Sequence, residues 1–340
     1  MSKEVSRWAD AAMFRSEEMP KDERGKVVPK AYLLNATPDP LGSLAALNAI
    51  YTGGVKRSLS EVTDEERREA LVEVRKNKLQ GPLEVIQFHF LLEGVSRAFT
   101  HQIVRGRHAF YAQESLRFAV VEGEAWTDRV ATPPGFEFWT EGQKEEWEAG
   151  VMQAEDSYAR LVGSGIPAED ARGLMPHAMT TRIHWVCSLR ELLYVAGVRL
   201  CTQAQFEWRL AMASVVQSLR DLGRRSDAVS ETLRDYPEPI DDGYHDGWQF
   251  EEIANLLRPI CYQEGACGFK AKADRSCSIR ERVDFRERYS LNRKDSSKWH
   301  LPLISDTVVY GSETGRPEIV TVTSPGIDPA EWLTDPSAAR

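Results

Sequence analysis

The chain has 340 residues, 42% of them hydrophobic, and its 43 Lys and Arg against 52 Asp and Glu leave a formal net charge of -9. That length can bury a full core, as one large domain or two smaller ones, and the acidic balance excludes a global basic footprint for a nucleic-acid backbone. No run approaches the roughly 20 apolar residues of a membrane span, and the charged opening, Met1 to Lys26, lacks the apolar centre of a secretory signal. The expectation is a cytoplasmic protein that binds neither membrane nor nucleic acid.

In chain order, Lys30 to Ala36 reads as extended, and Asp39 as N-cap with Pro40 at the first helical position opens a helix ending near Gly53. Glu61 to Lys78 is a highly charged helical pattern, stopped by Gly81 and Pro82. Ile86, Phe88, Phe90 and Leu92 then alternate with Gln87, His89 and Glu93, the period of a half-buried strand. With Ser96 as N-cap, Val95, Phe99 and Ile103 recur every four residues and predict one short amphipathic helix, whose other faces carry Arg97, His101 and Gln102. The chain leaves it at Arg105, and Ser115 to Val121 is extended again. Beyond a break at Pro133, Pro134 and Gly135, the positions Trp147, Val151, Ala154, Tyr158 and Leu161 trace a helix that ends at Gly163. Trp185, Leu189, Leu192, Leu193 and Ala196 predict a further helix face, interrupted by Gly197. Thr202 and Gln205 then have capping-box spacing and open a helix to Gly223. Asp241 to Asp246 is loop-like, and the segment from Ser296 is weakly patterned. Strand and helix patterns alternate without a GxGxxG fingerprint, so the expected fold is α/β, a mixed sheet carrying helices and no Rossmann-type dinucleotide motif.

The segment Val95 to Phe118 holds four arginines, two histidines and several hydrogen-bonding side chains beside apolar anchors. Arg105, Arg107, Ser115 and Arg117 fall where the backbone turns between elements, the places where function concentrates. The guanidinium fork donates two parallel hydrogen bonds and keeps its proton, so three arginines with a serine hydroxyl read as a phosphate clamp; the competing reading is a salt-bridged surface loop. In an acidic chain such a local cationic cluster points to a small phosphorylated ligand. The five cysteines, an odd number, argue for reduced thiols over a disulfide framework. Cys261, Cys267 and Cys277 cluster, yet their spacing is looser than zinc pairs show and no fourth ligand is evident beyond distant His245, so no metal is expected.

Arg105-Gly106-Arg107, seven residues, Ser115, Leu116 and Arg117 resemble the signature of the flavin-dependent thymidylate synthases, which reads Arg-His-Arg, seven residues, Ser, and Arg two positions on. Ser96 to Gln102 (SRAFTHQ) and Gln113-Glu114-Ser115 are similar to common family forms. A second block follows the family order: Glu169 to Arg172, Leu174-Met175-Pro176, Thr180-Thr181-Arg182, Ser188-Leu189-Arg190, Arg199 and Ala204-Gln205. Ala31 to Tyr51 resembles the family's first strand and helix, so the likeness covers about residues 30 to 225. The chain also departs from the pattern. Gly106 stands at the central His, Phe110 and Ala112 at small polar positions, Ser188 and Tyr194 at two asparagines, and Gln203 at a histidine near the flavin.

The resemblance implies FAD as cofactor, methylenetetrahydrofolate as one-carbon donor, NADPH as reductant, a uridine monophosphate (UMP or dUMP) as substrate, and a homotetramer with shared sites. The expected organisation is a charged tail over 1–29, a catalytic domain over 30–290 with a helical insertion at about 125–165, and a peripheral tail over 291–340. Carried over by position, Gln102, Arg105, Gln113, Glu114, Ser115, Arg117, Arg172 and Arg199 would hold the nucleotide, with Arg172 supplied by a neighbouring subunit. Arg105, Arg107, His108, Gln113, Ser188, Arg190, Tyr194 and Gln203 would line the flavin. Methylation at C5 of uracil needs either a low-pKa thiolate at C6 or a fixed cation that stabilises negative charge on the ring. No cysteine lies in the signature block, and Cys187 and Cys201 sit in apolar patterns that read as packing, whereas Arg199 corresponds to the arginine that polarises the uracil. Arg199 is therefore the expected catalytic residue. The altered loop raises the ribonucleotide UMP, the substrate of divergent members in nucleoside-antibiotic pathways; hydroxymethyl transfer in base modification and a cofactor-free nucleotide-binding relic are the competing readings.

Overall fold

In the computed structural model, residues 14–15, 18–22, 25–76, 80–117, 119–120, 125–133, 136, 139–201, 204–232, 247–260, 306–310 and 317–321 are described. Gln203 and the Cys261, Cys267 and Cys277 cluster lie outside these residues, as does the expected Asp241 to Asp246 loop. The elements in order are β1 (Phe14–Arg15), β2 (Lys30–Ala36), α1 (Pro40–Tyr51), α2 (Asp64–Lys76), β3 (Gln87–Ser96), α3 (Arg97–Ile103), β4 (Ala109–Gln113), β5 (Ala119–Val120), α4 (Glu141–Gly163), α5 (Ala168–Ala171), β6 (Thr180–Ser188), α6 (Leu189–Arg199), α7 (Phe206–Thr232), α8 (Trp248–Leu256), β7 (Asp306–Tyr310) and β8 (Pro317–Thr321).

The main sheet has the order β2-β3-β6-β4, antiparallel at every pairing. The α/β expectation holds, with the one parallel pairing among the described strands lying between β1 and β5. Strand period two puts Phe88, Phe90 and Leu92 of β3 and Ile183, Trp185 and Cys187 of β6 on one face, and all six are almost wholly buried. Against that face pack Leu189, Leu192 and Ala196 of α6, Trp208, Met212, Val215 and Leu219 of α7, and Phe250 and Ile253 of α8. Each Leu, Ile, Val, Met or Phe among them contributes about 1.5–3 kcal/mol by leaving water. The other face carries Tyr32, Leu34, His89, His184 and Phe110, all partly or largely exposed.

Two expected elements took other shapes. The four-residue spacing of Trp185 and Leu189 predicts one helix face, but Trp185 belongs to β6, where Ile183, Trp185 and Cys187 alternate inward and the helix begins only after Ser188. Gly197 does not interrupt that helix; it is buried inside α6, which runs on to Arg199. Ala109 to Gln113, expected as part of a turn, forms β4 along β6, and α8 fills a stretch for which no element was expected. Strands β7 and β8 pair with each other inside the weakly patterned segment.

Local chemistry fixes the frame around the site. Asp39 caps α1 by accepting from Gly42 N at 2.9 Å, and it also accepts from Arg67 Nη2 of α2 at 2.6 Å and Gln249 Nε2 of α8 at 2.9 Å. Gly94 sits at the bulge between Leu92 and Val95 with φ 67°, and a Cβ there would collide with the Val28 carbonyl. A second apolar cluster of Leu116, Trp126, Val130, Val151, Tyr158, Ala171 and Met179 gathers around α4, within and beside the segment expected as a helical insertion. Among the described residues no helix is long and apolar enough to cross a membrane.

Candidate active site

The site is organised by α3. Ser96 ends β3 and caps this helix, its hydroxyl accepting from Phe99 N at 3.0 Å. Ser96 in turn donates its backbone N–H and its hydroxyl to the two carboxylate oxygens of Glu207 on α7, the hydroxyl bond being 2.7 Å. Burial pushes the Glu207 carboxyl above its usual range, and the two Ser96 bonds only partly offset this. The strand-to-helix corner that carries the signature is thus bolted to the helix that covers the sheet.

At the far end of α3 stands Gln102. Its Oε1 accepts from Arg199 Nη1 at 3.2 Å and from Trp208 Nε1 at 3.0 Å, and its Nε2 donates to Gln205. The Arg199 guanidinium lies 4.6 Å from the centre of the Trp208 ring, which itself packs 4.1 Å from Phe99. Arg199 is half-buried, and this burial holds its guanidinium below the ordinary arginine value, with Tyr194 opposing. A cation stacked on an indole and tethered at one nitrogen has a fixed plane, and its remaining N–H groups can serve a ligand.

The other end of α3 gathers the two sequence blocks. Arg97 N and Ala98 N donate to the carbonyls of Met179 and His177, and His101 stacks on His177 with ring centres 5.7 Å apart. Arg97 Nη1 is buried without a hydrogen-bond partner. Burial first and then the charge of Arg172 hold its guanidinium below the ordinary value, while Glu114 opposes them. An orphaned guanidinium N–H that feels the charge of a second arginine is a setting that favours an anion. Arg97 lies on the polar side of the short helix and outside the expected binding residues, and no sequence signal marks it, because its neighbours come from the second block.

Of the expected nucleotide-binding residues, Gln102 and Arg199 meet directly, Gln113 joins α3 by donating to Thr100 Oγ1 at 3.0 Å, and Arg172 reaches it through Arg97. Glu114 accepts from Thr181 Oγ1 at 3.4 Å and lies 3.7 Å from Arg182 Nη1, which also pairs through Nε with Glu93. Arg117 is half-exposed and pairs with Glu169 at 2.8 Å, joining the signature loop to the second block, and Ser115 Oγ accepts from Arg117 N at 3.3 Å. Arg105 and Arg107 are exposed on the loop after α3, and neither guanidinium has an ion pair or hydrogen bond among the described residues. Such free cations, with Arg97, fit the phosphates of a nucleotide or a dinucleotide cofactor.

The expected flavin-lining residues divide. His108 is exposed beside Arg107, Arg190 is exposed and pairs with Glu84 at 3.2 Å, and Tyr194 is 66% exposed on α6. Ser188 is buried, and its hydroxyl accepts from Glu191 N at 3.3 Å as the cap of α6. Phe110 and Ala112 project from β4 beside Val186 and His184 on the exposed face of the sheet, opposite to Tyr111 and Gln113. Within one chain they therefore do not shape the pocket around α3. Cys187 is buried, and burial first and Glu191 second push its thiol well up, so it is no thiolate nucleophile. Among the described residues no group of three or more His, Cys, Asp and Glu could hold a metal ion.

Known proteins align with the same region. A flavin-dependent thymidylate synthase of Geobacter sulfurreducens is 35% identical over 193 residues, covering 56% of this chain and 81% of the relative. The enzyme of that name from Pyrococcus furiosus is 32% identical over 179 residues, covering 52% of this chain and 73% of the relative. A crystal structure of thymidylate synthase X from Helicobacter pylori with FAD and dUMP overlaps 56% of this chain and 92% of that one, at 17% identity and a TM-score of 0.44. Residues 32–222, more than half of the chain, match the family model described as thymidylate synthase complementing protein, and the chain belongs to that family.

Proposed function

We propose that the protein is a FAD-dependent uridylate C5-methylase, a thymidylate synthase that acts on dUMP or UMP with methylenetetrahydrofolate as carbon donor and NADPH as reductant. The observation that carries this reading is the Gln102, Arg199 and Trp208 junction, a stacked cation held at the end of the signature helix. Family membership and the names of the relatives support the chemistry. FAD, when bound, supplies redox and one-carbon carrier chemistry that no side chain has.

The chain's own residues bind and polarise. Arg97, Arg172 and the free guanidinia of Arg105 and Arg107 neutralise phosphate, with Ser115 and Arg117 at the loop's end. Gln102 fixes the plane of Arg199, so that its remaining N–H groups meet negative charge on the uracil N3 and O4 edge without reorganising, and C5 becomes nucleophilic with no thiolate at C6. The protein works in the cytoplasm as a homotetramer with sites shared between subunits, and residues 30–290 form its catalytic domain. Gln203, at the family's flavin-facing histidine, completes the flavin site.

The test starts with the visible spectrum of the protein after incubation with FAD and desalting. A retained flavin band and methyl transfer to dUMP or UMP are expected. Folded protein with no flavin, or with flavin but no product from either nucleotide, refutes the reading. The ratio of the two turnover rates assigns the sugar, and turnover of dUMP with none of UMP removes the ribonucleotide version.

A further inference from the structure

Beneath the signature loop lies a set of polar atoms that nothing above uses. Glu191, in the first turn of α6, is 6% exposed, and its Oε1 has no hydrogen-bond partner. Tyr111 projects inward from β4, and its buried hydroxyl has none either. The indole N–H of Trp185, on the neighbouring strand β6, faces that hydroxyl without a well-aligned bond. Buried polar groups are normally paired; the phenol and the indole have one another at hand, but Glu191 Oε1 has no partner, and that calls for an explanation. The explanation is geometric. A Cβ on Gly106 would stand 2.7 Å from Glu191 Oε1, 2.7 Å from Tyr111 Oη and 3.3 Å from the Ile103 carbonyl. The carboxyl and the phenol therefore both converge on the one loop position that has no side chain, between Arg105 and Arg107.

The geometry points to Glu191 and Tyr111 as positioning residues: their oxygens take up the volume next to Gly106 where a side chain would otherwise sit, and they hold the Arg105 to His108 loop in place for its anionic ligands. This rests on the flavin and nucleotide chemistry proposed above. The phenol is the rigid half of the device, because a Tyr ring anchored in a strand cannot swing its hydroxyl aside; the carboxylate end is the movable half. The electrostatics agree. Burial raises the Glu191 carboxyl above its usual range and Glu84 adds to this, while His108 and Arg190 oppose it; burial with Glu191 and Cys187 raises the Tyr111 phenol, against a hydrogen bond from Trp185. Burial shifts the carboxyl toward its neutral form relative to water, and that form can donate as well as accept. The loop residue His108 is thereby coupled to the base of α6, so that the expected flavin positions on the loop and those on α6 share one buried support.

The departure at position 106 and the converging oxygens then have one cause. A histidine at 106 would displace the carboxylate and clash with the phenol, and a chain without them would leave Gly106 over a void. The experiment measures FAD and dUMP dissociation constants, with melting temperatures, for the full chain and for Gly106→His, Glu191→Gln, the double variant Glu191→Ala with Tyr111→Phe, and the triple variant that combines the double with Gly106→His. Gly106→His and the double variant are each expected to weaken FAD and dUMP at least tenfold; Glu191→Gln, which keeps shape and donor, stays within threefold; the triple variant regains most of the loss. A purely structural role would move the melting temperature without moving affinity measured far below it. Unchanged affinity in the double variant overturns the inference, and so does a triple variant whose losses simply add. If the parent chain binds neither FAD nor nucleotide, the functional reading fails by itself, and recovery of the Gly106→His melting temperature in the triple variant still decides whether these groups share one space.

Discussion

Replacing Arg199 by Met separates a catalytic cation from a structural one. Arg199 makes a 3.2 Å hydrogen bond to Gln102 and a 4.6 Å stack on Trp208. The stack of a half-buried guanidinium contributes about 1 kcal/mol, and a bond of that length about 1 kcal/mol more. Against them stands the burial that lowers the guanidinium's pKa, a penalty that Met escapes while refilling the space beside the indole. The net loss of stability is thus at most about 2 kcal/mol, or about 4–8 °C in melting temperature for a body of this size. Trp208 Nε1 keeps Gln102 in place. Removing a preorganised donor from developing charge lowers kcat by about 10²–10³, or about 2.7–4 kcal/mol. Single-turnover formation of the methylated nucleotide, measured about 20 °C below the variant's own melting point, reads the second effect free of the first. Arg199→Lys, which keeps the charge but not the planar fork, falls between the two. If Arg199→Met turns over within threefold of the parent, or loses activity only as it unfolds, Arg199 is a packing residue and the assignment fails.

Further outcomes follow from the frame. Asp39 is an acid whose pKa is lowered: burial raises it, but bonds from Arg67, Gln249 and the Gly42 N–H outweigh burial. Its contribution is therefore complete above its unfolded value and is lost as pH falls through the lower folded one. Asp39→Asn should cost about 2–3 kcal/mol near neutral pH and flatten the acid limb of a stability curve followed by denaturant melts; an unaltered limb would show that the α1, α2 and α8 junction is not coupled to folding. Gly94→Ala forces a left-handed residue and a Cβ against the Val28 carbonyl at the β3 bulge, so a loss of at least about 2 kcal/mol is expected in the same assay, and a melting point within 1 °C of the parent would contradict the bulge geometry.

Much of the fold was legible because local rules and tertiary demands agree. Asp39 and Pro40 mark the start of α1, Ser96 marks the start of α3, and the alternation from Phe88 to Leu92 gives β3 its buried face. Strand β6 was missed where two periods compete. Trp185 stands four residues before Leu189, a helical spacing, and also two from Ile183 and Cys187, a strand spacing. The bonds to β3 and β4 on either side decided between them, and no local window contains that information. Strand β4 was hidden for a related reason: a short edge strand with Ala109, Phe110 and Ala112 carries little inward apolar signal, and its pairing with β6 supplies the order.

The site was legible as residue types and less so as an arrangement. Arg199 and Gln102 are 97 residues apart in sequence, and nothing in either block says that an indole from a third segment, Trp208, sets the plane of the cation. Arg97 shows the same limit: it reads as the polar side of a short helix until β6 brings His177, Met179 and Arg172 against it. Conversely, Ser188 sits at a position expected to face flavin, yet its hydroxyl is committed to the cap of α6. Ser188 is buried under α6, so the residues near that end of the helix expected to face flavin that present free surface are Arg190 and Tyr194.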